Sequence, residues 1–93
     1  MTDRMQNVKA ASASGQVATG DNRVFRSAIL NPGSAASTLI IYDNTAASGT
    51  IIAKLVAAAN GISAVTPEVV ISATIGIYAS LSGASADFVI YYE

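Results

Sequence analysis

IIYDNTAASGTIIAKL, residues 40–55, sets two apolar runs around a loop of Asp, Asn, Thr, Ala, Ser and Gly. The runs carry Ile, Tyr and Leu, which suit a pleated, half-buried surface, and the loop holds the small polar residues that reverse a chain. The stretch reads as a β-hairpin: TLIIYD (38–43), the loop NTAASG (44–49) and TIIAKLVA (50–57). In the second strand Ile51, Ala53, Leu55 and Ala57 alternate with Ile52, Lys54 and Val56. A helix across 51–59 is the competing reading, because Ala, Lys and Leu favour it. The two β-branched isoleucines beside the loop favour the strand.

The same grammar continues outward from the hairpin. VFRSAIL (24–30) is strand-like and ends at Asn31-Pro32-Gly33, a strong turn signal. Downstream, Asn60-Gly61 is a tight-turn dipeptide leading into ISAVT (62–66). PEVVISA (67–73) opens on a proline that cannot donate to a ladder, which marks an edge or a break. In TIGIYASLSG (74–83) Ile75, Ile77, Ala79 and Leu81 point one way, Thr74, Gly76, Tyr78 and Ser80 the other. DFVIYYE (87–93) puts Phe88, Ile90 and Tyr92 on one face, Val89 and Tyr91 on the opposite one.

About seven short strands with turns between them and no secure helix predict an all-β fold. The expected form is a small antiparallel β-sandwich, jelly-roll-like, with Ile77 on its buried face. Apolar residues on both faces of several strands predict that part of the outer face is covered as well.

The first twenty-one residues differ in character. They are mostly Ala, Ser, Gly, Gln and Thr, with few larger apolar groups, and cannot offset the entropy of ordering on their own. An extended or flexible N-terminal arm over residues 1–21 and a β body over 22–93 are expected. A helix over 4–12 is only marginal. Charge follows a similar division. Arg4, Lys9, Arg23 and Arg26 against Asp3 and Asp21 give residues 1–26 a balance of +2; the remainder carries Lys54 against Asp43, Glu68, Asp87 and Glu93, a balance of −3. The basic segment suggests an arm that seeks an acidic surface, or else a solvated leader.

Size and composition narrow the function. Ninety-three residues form one domain, and a chain this short buries only roughly 60% of the surface its unfolded form exposes. With no Cys and no His, disulfide staples and the usual zinc sites are excluded. Oligomerisation, as a dimer or trimer, or docking on a larger surface is therefore expected. A net charge of −1 excludes a generally basic nucleic-acid binder, and no run of eighteen apolar residues exists to span a membrane. MTDRMQNVKAASASG lacks the apolar core of a secretory signal, so synthesis in a cytoplasm without export by the general route is expected.

Catalytic chemistry finds little foothold. The commonest base and the thiol nucleophile are missing, and the six carboxylates stand singly. Asp43-Asn44 fails the calcium-loop pattern and reads as a turn former. The glycines match no phosphate-binding loop and sit where turns need them. A Ser–Lys arrangement around Lys54 has no marked serine. The expectation is a non-enzyme without cofactor or metal. Arg23 and Phe25 share one face of a strand and Arg26 shares the other with Val24; this cationic pair either docks an acidic partner or lies along the surface as ordinary snorkelling side chains. Tyr42, Tyr78, Tyr91 and Tyr92 either pack on the sheets or offer a binding face.

STLIIYDNTAASGTIIAKL followed by TIGIYASLSGASADFVIYY resembles the cement (decoration) proteins of tailed-bacteriophage capsids, of the tadpole-shaped kind found on cyanophages. The matching residues are Tyr42–Asn44, Thr45–Gly49, Ile51–Leu55 and Gly76–Tyr78; residues 22–93 resemble the family best, and the arm does so only by composition. The resemblance implies a structural virion protein on the capsid surface, clamping neighbouring major capsid protein subunits. It carries no catalytic residue and implies neither nucleic acid nor membrane as partner. On this reading the contact residues are Arg4, Lys9, Arg23, Phe25, Arg26, Tyr91 and Tyr92. A tail- or fibre-associated β module, binding protein or carbohydrate through its tyrosines, is the rival.

Overall fold

The innermost hairpin forms as read: β4 (Ser37–Asp43) pairs antiparallel with β5 (Thr50–Ala57), from Ser37 opposite Ala57 to Asp43 opposite Thr50. In a computed structural model describing residues 7–20, 22–69 and 71–93, the chain folds around this hairpin in nested pairs. β3 (Arg23–Asn31) pairs with β6 (Ser63–Val65) and β7 (Ile71–Ala73), β2 (Gly15–Thr19) with β8 (Gly76–Ser82), and β1 (Asn7–Ala11) with β9 (Asp87–Tyr92). Every pairing is antiparallel and centred on the 44–49 loop.

This long double ribbon then rolls up. β9 joins the far side of β3, and β8 the far side of β4. Two sheets result: sheet A in the order β1-β9-β3 with β6 and β7 along the outer edge of β3, and sheet B in the order β2-β8-β4-β5. With β6 and β7 counted as one interrupted strand, this is jelly-roll order. The fold is all-β, two packed antiparallel sheets, as the sequence predicted.

The core lies between the sheets. Phe25, Ala28, Leu30, Phe88 and Ile90 from sheet A meet Leu39, Ile41, Leu55, Ile77 and Ala79 from sheet B. Ile77 is fully buried, as expected, whereas Ile75 lies in the bend before β8 and is exposed.

Three features depart from the sequence reading. Residues 7–11 and 15–19, expected in the arm, form β1 and β2, and Val17 and Ala18 join the core. Each strand borrows its apolar cover from a partner about sixty or more residues away, which local composition cannot reveal. Residues 1–6 of the expected arm lie outside the described residues. The second departure is at Asn60-Gly61: the turn is present, with Asn60 at φ 63°, but closes no hairpin and carries the chain from sheet B to sheet A. The Asn60 amide donates to the Gly33 carbonyl across that crossing at 2.7 Å. Third, the 67–73 strand shrinks to Ile71–Ala73, because Pro67 offers no N–H to the ladder.

Candidate functional site: the outer surfaces of the sandwich

Six of the expected contact residues fall on three adjacent strands of sheet A, Lys9 on β1, Arg23, Phe25 and Arg26 on β3, Tyr91 and Tyr92 on β9. Arg4 lies outside the described residues. The six do not share a face. Phe25, 1% exposed, is a core residue and offers nothing to a partner. Tyr92, opposite Phe25 and Asn7, is half-buried and packs against the core. Arg23 donates from Nε to the Thr19 carbonyl at 2.9 Å, which ties β3 to the end of β2. Lys9, opposite inward-facing Ile90, points along the inner side of an open edge and is solvated.

What remains outward forms a stripe. Tyr91 stands between Val8 of β1 and Ser27 of β3, and Val89 between Ala10 and Ile29. Directly opposed residues share a face, so Val8, Ala10, Val89, Tyr91 and Ile29 make a continuous apolar band across sheet A. Val8 is 56% exposed and Ile29 36%. The sequence showed the alternation in β9 but not the neighbours that complete the band.

Beside the band, β3 carries a bulge. Its register against β9 shifts between Phe25 and Ser27, so Arg26 is the extra residue and its side chain stands outward. The Arg26 Nε lies 3.5 Å from the Glu93 carboxylate, a solvent-screened pair. On the opposite side of β3, neither β6 nor β7 reaches Arg26 or Ser27. There the chain opens a cleft of about 310 Å³, walled by Thr66, Pro67, Glu68 and Val69.

Sheet B presents its own outer face. Tyr42 and Tyr78 are directly opposed on β4 and β8, with Ile51 beyond Tyr42 and Gln16 beyond Tyr78. One row further, Ile40 separates Lys54 from Ser80, placing those two on strands roughly 10 Å apart.

A polar corner closes this face. Asp43 Oδ2 accepts from the Thr74 amide at 3.0 Å and its hydroxyl at 3.1 Å; Oδ1 accepts from Ile75 N at 2.8 Å and Gly76 N at 3.3 Å. The Thr74 amide is the chief reason its carboxyl is held below the ordinary range; burial opposes this, and the Ile75, Gly76 and Thr74 hydroxyl bonds add to it. A carboxylate engaged this way anchors the crossing from β7 to β8 and is a poor base. Beside it the Gln16 amide donates to the carbonyls of Ala18 at 2.6 Å and Ile77 at 2.9 Å. Only Asp43 had a sequence signal, as a turn former.

Among the described residues no three His, Cys, Asp or Glu side chains gather to hold a metal. The chain matches no family model, no curated protein and no solved structure.

Proposed function

We propose that this chain is a structural virion protein that binds the outside of a tailed-phage capsid and stabilises contacts between major capsid protein subunits. The apolar band of sheet A carries the reading. A β-sandwich needs one apolar face per sheet for its core; a second one facing water is suited to being covered by another protein. Arg26 and Glu93 stand at the end of the band, giving it a polar edge of the kind typical of such contacts. The mechanism is mass action: a chain that binds assembled shell and not free subunits stabilises the assembly by RT ln(1 + [L]/Kd) per site, repeated over the lattice.

The test is co-sedimentation of the full chain with mature capsids stripped of it. Saturable binding at a copy number commensurate with the shell's subunits is expected. Val8→Asp with Ile29→Asp should abolish it while leaving the melting temperature within a few degrees. Binding at only a few copies per particle would move the protein to the tail. That second reading draws support from the Tyr42–Tyr78 pair, whose flat rings suit a protein or carbohydrate ligand.

A further inference from the structure

The four sheet edges are not equally protected. β1 is five residues long and turns Lys9 inward beside its open side, a charge that deters strand addition. β2 is equally short and is bulged at Val17. The edge along β3 is broken into two three-residue pieces by the Pro67 segment. β5 has no such device. It runs eight residues, Thr50–Ala57, contains no proline, and carries Lys54 as its one charge. Among the described residues no side chain donates to or accepts from its backbone and none of the turn and loop backbone bonds involves it, and β5 ends the order of sheet B. Ile51 and Val56 stand 52% and 64% exposed beside that free edge.

We infer that β5 is the interface with a second copy of this chain, pairing antiparallel with its own counterpart across a two-fold axis and joining two four-stranded sheets into one of eight. Self-complementarity is the reason for choosing a second copy over another partner. Inward residues must oppose inward ones, which removes every register placing the axis between two residues of the regular part of the strand. An axis through Lys54 sets two like charges face to face. An axis through Ala53 sets inward Ile52 against outward Lys54. An axis through Val56 leaves only residues 55–57 of β5 paired, and one between Ile52 and Ala53 sets bulge against bulge. An axis through Leu55 keeps faces matched over five regular residues: Leu55 meets Leu55 of the second copy on the inner face, Ala53 meets Ala57, and Lys54 meets Val56 on the outer face. The contact is small, and its isologous geometry closes at two. It stands whether or not the chain attaches to a capsid.

The register makes the charge at position 56 decisive. Sedimentation equilibrium of the full chain should show a monomer–dimer equilibrium. Val56→Lys, which faces Lys54 across the axis, should weaken it at least tenfold, and Val56→Glu should preserve or tighten it. Both variants place a charge at an exposed position, so a general loss of stability would affect them alike. Because the chain has no cysteine, the Lys54→Cys/Val56→Cys double variant should oxidise to a covalent dimer and Val56→Cys alone should not. A monomer at every concentration, a trimer, or equal effects of Lys and Glu at position 56 would each overturn the proposal.

Discussion

Asp43 shows how one side chain closes a sandwich. Its carboxyl is held low by donors from residues 74–76, first the Thr74 amide. A group whose folded pKa is depressed stabilises the fold above its unfolded value, about 3.9, and loses that contribution as pH falls through the folded value. Asp43→Asn should therefore be about 1 kcal/mol less stable at pH 7 and decline less than the parent below about pH 4. Urea denaturation at neutral and acidic pH reads both; parallel profiles would remove the role. Gly76 works at the same corner for a steric reason: a Cβ there would lie 2.6 Å from the Ala18 carbonyl. Gly76→Ala is expected to cost about 1–3 kcal/mol. Gly15→Ala, with open space around it, should be neutral or slightly stabilising in the same thermal melt. The turn role of Asp43 was legible in its sequence neighbourhood. The closeness of Gly76 to Ala18 was not, because fifty-odd residues of chain separate them.

At the scale of elements, bulges decide which alternation is real. Strict period two put Ile51 with the buried face of β5 and Ile52 opposite. The register against β4 shifts between Ile41 and Tyr42, and the extra residue, Ile52, turns to the core while Ile51 is exposed. Ile51→Ser should change stability by less than about 0.5 kcal/mol, whereas Ile52→Ser should cost about 1–3 kcal/mol. Equal effects would place the bulge elsewhere. The N-terminal strands obey the same logic. β2 lends Val17 and Ala18 to the core and covers the edge of β8, so removing residues 1–21 should abolish cooperative unfolding in a calorimetric scan. A sharp transition in the truncated chain would make those strands dispensable.

For the whole molecule, the nesting of strands sets the folding cost. Among the described residues only the β4–β5 ladder is local; β1 with β9 joins residues as far apart as Asn7 and Tyr92. Loops must close before such pairs give any stabilisation, so refolding in milliseconds to seconds is expected by stopped-flow fluorescence of the tyrosines. Microsecond folding would contradict the topology. The sequence by itself determined that the chain is all-β, where seven strands lie, that 44–49 is the central reversal and that Ile77 is inside, because period-two patterning and turn chemistry act between neighbours. Only tertiary structure decided that residues 7–11 and 15–19 are strands, that Asn60-Gly61 crosses between sheets, that Phe25 belongs to the core and that an apolar band spans sheet A. Each of those depends on which strands become neighbours when the ribbon rolls, and burial across a sandwich is settled by partners far away in the chain.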